Sequence, residues 1–222
     1  MAFNLRDAAA AAAFALTAAG LAYTAAEIVG MRRFRSRVQP PPPGSLPPIT
    51  ILKPLHGDEP QLYENLRSFC EQAYPEYQVI FGARDPRDPA LDVARRLVQE
   101  FPERDLCVVA GESGERAANP KIANLYGMIG KAKYDLLVIV DSDIRVGSEY
   151  LAAIAAAFRG PNVGAATCLY GGVPLDGIAS QIGATIVNDH FMASVLVATM
   201  IERLAYTCLL YTSPSPRDRQ KS

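Results

Sequence analysis

The chain contains no tryptophan and only two histidines, His56 and His190. Two imidazoles leave no room for a histidine-rich metal centre. Its four cysteines, Cys70, Cys107, Cys168 and Cys208, stand far apart with no Cys-x-x-Cys pair. That spacing argues against a disulfide framework or a zinc site and reads as reduced cytosolic thiols. Neither sign of charge prevails, with 22 Lys and Arg against 23 Asp and Glu, so no affinity for nucleic acid is expected. What the chain has in quantity is apolar surface. Half of its 222 residues are hydrophobic, enough for one sizeable core.

From Ala8 to Met31 the sequence is apolar and Ala-rich, interrupted by Thr17, Thr24 and Glu27. That length crosses a bilayer. Arg32, Arg33, Arg35 and Arg37 follow at once, against a single Arg6 before the run, so the positive-inside rule puts the C-terminal side in the cytoplasm. A signal peptide would carry its charges ahead of the apolar run. The expectation is a single transmembrane helix over residues 8–31 in the inner (cytoplasmic) membrane, with the rest of the chain on the cytoplasmic face. The competing reading is a helix lying on the protein or membrane surface, because alanine is weakly apolar and Glu27 is costly in lipid. Residues 32–48 then form a basic linker that includes Pro40 to Pro43, Pro47 and Pro48, a stiff, extended spacer.

Beyond residue 48, strand and helix signals alternate. Ile49–Leu55, Tyr77–Ala83, Leu106–Ala110, Leu136–Val140 and Gly164–Leu169 read as strands. Pro60–Gln72 and Pro89–Phe101 read as helices, and Asn119-Pro120 opens another as cap and first helical residue. Ser148 is expected to cap an Ala-rich helix running to Phe158. The order implies an α/β domain with a largely parallel sheet flanked by helices. The apolar stretch from Gly177 to Leu204 is broken by Asn188, Asp189 and His190. It reads as a helix bordering a membrane-facing cleft rather than a second span. Residues 208–222 change character abruptly, and Cys208 to Asp218 reads as the in-frame translation of a transposon-adaptor sequence. The tail is expected to be non-native, with the natural frame interrupted near Thr207.

Asp141-Ser142-Asp143 follows directly on the apolar strand Leu136–Val140. Carboxylates at the C-terminal end of such a strand sit where open α/β sheets bind ligands. Mg²⁺ and Mn²⁺ share one or two protein carboxylates with substrate phosphates, so the position suggests a metal–diphosphate site. Alone the motif is weak, since acidic residues also cap helices and line turns.

Four stretches in order carry more. They are Lys53-Pro54-Leu55, Asp85-Pro86-Arg87-Asp88-Pro89-Ala90, Asn119-Pro120-Lys121-Ile122-Ala123-Asn124-Leu125, and Tyr134-Asp135-Leu136 running into Asp141-Ser142-Asp143-Ile144-Arg145. In this spacing the chain resembles the ceramide glucosyltransferase family of inverting glycosyltransferases, looking closest to its bacterial hopanoid-associated branch, over roughly Pro48 to Leu204. The resemblance implies a GT-A domain over 49–207, incomplete at its end, that takes a UDP-sugar donor with Mg²⁺ or Mn²⁺ and serves a membrane lipid acceptor: ceramide, a diacylglycerol or a hopanoid polyol. It implies no obligate protein partner. By the same resemblance Asp88 contacts the nucleoside, although capping the helix at Pro89 is an equally simple role. Asp141 and Asp143 would hold the metal. Lys121 at a helix start would reach the diphosphate, unless it is a plain surface lysine. Lys53 would touch the nucleotide or form a salt bridge, and His190 would face the acceptor or serve structure only. Asn119 and Asn124 read as capping or bracing residues.

Departures from the family are equally specific. The family carries a later acidic pair supplying the general base, then a Gln/Arg-x-x-Arg-Trp motif. This chain has no tryptophan and no Asp-Asp or Glu-Asp pair, so no general base is identified. The expectation is a chain that binds UDP-sugar with metal and transfers it poorly or not at all. Two alternatives stand beside it. A non-catalytic donor-binding module at the membrane fits the missing motifs. Nucleotidyl transfer would need a glycine-rich loop after the first strand, where Lys53-Pro54-Leu55-His56-Gly57 stands instead.

Overall fold

The computed structural model describes residues 5–37, 46–111, 119–158 and 163–201. The prolines at 40–43 and the expected non-native tail over 208–222 lie outside the described residues. The chain forms two compact units, one of residues 1–39 with 160–222 and the other of residues 40–159.

The first unit opens with helix α1 (Leu5–Arg37), longer at both ends than the apolar run alone suggests. The second unit alternates β1 (Ile49–Pro54), α2 (Leu62–Cys70), β2 (Tyr77–Ala83), α3 (Ala90–Glu100), β3 (Asp105–Ala110), α4 (Pro120–Ile129), β4 (Leu136–Ile139) and α5 (Tyr150–Ala157). Its four strands are all parallel, in the order β3-β2-β1-β4. Helices cover both faces, which is why β1 and β2 are buried along their whole lengths and read as mainly apolar runs, interrupted by Thr50, Lys53 and Gln78.

Alternate residues serve the two faces. Ile49, Ile51, Val79, Phe81 and Val138 pack with Leu66 and Phe69 of α2, Leu97 of α3 and Leu151 of α5. On the opposite face Leu52, Ile80 and Val109 meet Leu125 and Met128 of α4. α4 lies so close to β2 that a Cβ on Gly82 would stand 2.5 Å from Met128 Sδ. Asn124 braces the same point, its Nδ2 donating to Gly82 O at 2.8 Å. At the other end of the strands the Gln78 amide oxygen accepts from Thr50 Oγ1 and from Lys133 N. Tyr134 N donates to Thr50 Oγ1, so two buried polar side chains fix where β4 begins.

β1, β2 and β3 step outward in one direction, and the crossover through α4 returns the chain to the far side of β1. The reversal falls between β1 and β4, and the crevice at their carboxyl ends is the place where such sheets take ligands.

Two expectations change. Ser148 does not cap α5; Glu149 precedes that helix without a side-chain cap, and the Ser148 carbonyl instead accepts from Ala73 N at 2.9 Å. Gly164–Leu169 forms no strand, and residues 163–175 are irregular. The helix expected after Gly177 continues through the polar residues Asn188–His190. α6 (Ile178–Thr185) passes through a π-helical turn (Ile186–Phe191) into α7 (Met192–Ile201). Within that turn the Asn188 side chain bonds Gly172, accepting from its N at 2.7 Å and donating to its O at 2.9 Å. Ile178–Met200 is consequently one run long and apolar enough to cross a membrane, as is Arg6–Phe34. Within this unit α7 approaches α1 at Gly30, where a Cβ would meet Leu196 Cβ at 3.2 Å and Met200 Sδ at 3.0 Å.

Cys70 is buried in the core under α2, and burial pushes its thiol up to about 12. Burial thus holds it as the unreactive thiol. A pulse of iodoacetamide on the native protein is expected to label exposed Cys168 and leave Cys70 unmodified until denaturant is added. Peptide mass spectrometry reads both sites.

Candidate functional site

Past Ile139, the main chain keeps to the sheet for one more bond, Val140 N to Leu52 O at 3.1 Å, and then turns at Asp141-Ser142-Asp143, where Ile144 N donates to Asp141 O at 3.3 Å. The two carboxylates therefore stand beside the end of β1, at the switch point. Lys121 Nζ forms an ion pair with Asp141 Oδ1. Lys121 occupies the first turn of α4, where Asn119 Oδ1 accepts its backbone N–H at 2.9 Å and Pro120 sits at a position that needs no donor. The positive end of the α4 dipole and the Lys121 ammonium thus converge on the acidic turn, an arrangement that suits a bound phosphate.

Asp141 is half-exposed and Asp143 exposed. Among the described residues no three His, Cys, Asp or Glu side chains come together as a metal cage. Two carboxylates on one turn fit an Mg²⁺ or Mn²⁺ ion that completes its oxygen shell from a diphosphate and water.

Asp88 is buried and takes the capping role. Its Oδ1 accepts from Ala90 N at 2.9 Å, at the start of α3. Both carboxylate oxygens lie 3.0 Å from Gly57 N, and His56 Nδ1 is 3.6 Å from Oδ2. Gly57 adopts φ +73° to present its N–H there, a conformation open to glycine. One aspartate thus ties the loop after β1 to the loop after β2, above the same sheet end.

Lys53 differs from expectation. It is fully buried on the core face of β1, with Nζ 2.5 Å from Asp141 O, 3.5 Å from Ile144 O and 4.1 Å from the centre of the Phe69 ring. Main-chain carbonyls and an aromatic face hold it, where a nucleotide contact or a salt bridge was expected. Burial brings its pKa down to about 7, against the opposing pull of Asp143, Asp141 and Glu59. Glu59 was not singled out from the sequence. Its Oε2 is buried and has no hydrogen-bond partner among the described residues; the pair Asp58-Glu59 right after His56-Gly57 is the signal that marks it. His190 lies exposed in the π-helical turn of the other unit, its carbonyl accepting from Ser194 Oγ at 2.7 Å.

A parallel, helix-flanked sheet with an Asp-x-Asp turn at its switch point defines a GT-A glycosyltransferase fold. The chain belongs to glycosyl transferase family 21, whose profile matches residues 12–210. Ceramide glucosyltransferase from Komagataella phaffii is 32% identical over 121 residues, covering 53% of this chain and 24% of the relative. The enzyme of the same name from Gibberella zeae is 31% identical over 160 residues, covering 64% and 30%. Ceramide glucosyltransferase 3 of Caenorhabditis elegans is 35% identical over 106 residues, covering 47% and 23%. The match spans less than a third of each of these relatives. Among solved structures, a mannosyltransferase from Pyrobaculum calidifontis in complex with GDP-Man and Mn²⁺ is similar at a TM-score of 0.50 and 26% identity, over 71% of this chain and 46% of its own.

Proposed function

We propose that this chain is the donor-binding part of a membrane-anchored, inverting glycosyltransferase that moves a sugar from a UDP-sugar to a lipid hydroxyl at the inner membrane. The observation that carries the reading is the position of Asp141 and Asp143 at the β1–β4 switch point with Lys121 and the α4 N-terminus facing them. Asp141 and Asp143 would hold Mg²⁺ or Mn²⁺, which takes up negative charge as the nucleotide leaves. Lys121 adds a cation beside the same charge, and Asp88 holds the two loops that face the nucleoside. The names of the relatives favour a lipid acceptor: ceramide, a diacylglycerol or, by the branch the motifs resemble, a hopanoid polyol. The mannosyltransferase solved with GDP-Man and Mn²⁺ supports a nucleotide sugar and a divalent ion. α1, with Phe14, Leu16 and Leu21 pointing outward, supplies the anchor, and His190 is assigned to the acceptor side.

Inversion needs a base to deprotonate the acceptor hydroxyl, and no residue of this chain is assigned to that step. Donor binding without turnover is therefore expected, which merges with the second reading, a non-catalytic donor-binding module. Calorimetric titration of the detergent-solubilised chain with UDP-glucose tests the donor site. Binding is expected with Mn²⁺ and lost in EDTA; no binding in either condition overturns the reading. Transfer to ceramide or a hopanoid polyol at ordinary enzyme rates would instead overturn the missing base.

A further inference from the structure

Between the end of β4 and the start of α5 the chain runs without regular structure, yet buried and half-buried side chains beneath it bond it repeatedly. Lys53 Nζ donates to the carbonyls of Asp141 and Ile144. Ser68 Oγ, on α2, accepts from Val146 N at 3.2 Å. Gln72, buried just past α2, donates from Nε2 to Gly147 O at 2.9 Å and accepts at Oε1 from Leu151 N at 3.2 Å. An ammonium in this core is not explained by packing: Met would fill the same volume over Phe69 with no polar group to desolvate. What the ammonium adds is a grip on two carbonyls of a loop that has no ladder to hold it.

We propose that Lys53 is a positioning residue that presets the Asp141–Asp143 turn for a divalent ion and diphosphate, working through the main chain from beneath, with Ser68 and Gln72 fixing the rest of the loop. This inference rests on the donor-site reading above. The group acts on the ligands as outer-shell partners do elsewhere, where their loss costs about 10–100-fold in metal affinity.

The test is Mn²⁺ uptake by the full chain in detergent, followed by electron paramagnetic resonance in the presence of UDP. Lys53→Met is expected to weaken Mn²⁺ affinity by about 10–100-fold. Leu66→Ala, which opens a cavity in the same core but removes none of the hydrogen bonds to the turn, is expected to lower the melting temperature and leave the affinity unchanged. Ser68→Ala, at a half-buried site, is expected to give a smaller loss in the same direction and decides the matter if Lys53→Met does not fold. Wild-type affinity in Lys53→Met, or in Ser68→Ala where that is the variant that folds, overturns the positioning role. So does an equal loss in Leu66→Ala. A wild-type chain that takes up no Mn²⁺ with UDP sinks the donor-site reading and this inference together.

Discussion

Asp141→Asn is expected to abolish metal-dependent UDP-sugar binding while leaving the fold in place. The substitution keeps the shape of the side chain and removes the charge that a hard cation requires. Outer-shell changes alone cost about 10–100-fold in metal affinity, so loss of a direct ligand is expected to cost at least about 100-fold. Stability should hardly move. The Asp141 side chain is 46% exposed and that of Lys121 29%, so their ion pair stays in reach of solvent, where such pairs contribute about 0–1 kcal/mol. In a domain of this size that amounts to a few degrees of melting temperature. Calorimetry with and without Mn²⁺, beside a thermal melt, separates the two effects. An Asp141→Asn variant that binds UDP-sugar with wild-type metal dependence would remove Asp141 from the metal site.

The second large effect concerns α1. Leu16 and Leu21 lie near the middle of the apolar segment and are largely exposed, 75% and 69%, with nothing among the described residues covering them. On an insertion scale each Arg at a helix centre costs about 2.5–3.5 kcal/mol and each lost Leu about 0.5. The Leu16→Arg, Leu21→Arg double variant therefore disfavours spanning by roughly 6–8 kcal/mol, enough to reverse it. The readout must not depend on the second apolar run at Ile178–Met200, so a peptide tag ahead of residue 1 is followed by protease digestion in spheroplasts. The wild-type tag is expected to be cut from outside and the double variant's tag to be protected. A wild-type tag that is already protected would favour the surface-lying helix, on which two arginines at the water face would be harmless.

The parallel sheet was readable from the sequence because helices pack on both of its faces, which favours largely apolar strands such as Val79–Phe81 and Leu136–Ile139. Asn119-Pro120 was readable because a cap and a first-turn proline act within three residues of each other. Asp141 and Asp143 were readable as a motif at a strand end. Contacts between distant residues were not. Lys53 meets Asp141 across 88 positions, and nothing local to Lys53-Pro54-Leu55 distinguishes a buried lysine from a cleft lysine. The same holds for Gln72, whose partners at Gly147 and Leu151 lie more than 70 residues away. The polar residues Asn188–His190 interrupt the apolar run without ending the helix, because the π-helical turn there admits an extra residue, and sequence periodicity offers no sign of such a turn.

The 33 residues of α1 run unbroken past the apolar segment and into the arginines. At about 1.5 Å per residue the helix is about 50 Å long, while the hydrocarbon of a bilayer needs only about 30 Å. Standing in a membrane, its last turns would rise through the headgroups as a stiff post instead of a slack tether. Arg32 and Arg33 would then form a collar among anionic lipids, each contributing about 1 kcal/mol of attraction. Such a collar sets the depth at which the post rests, and with it the height above the bilayer from which the rest of the chain departs.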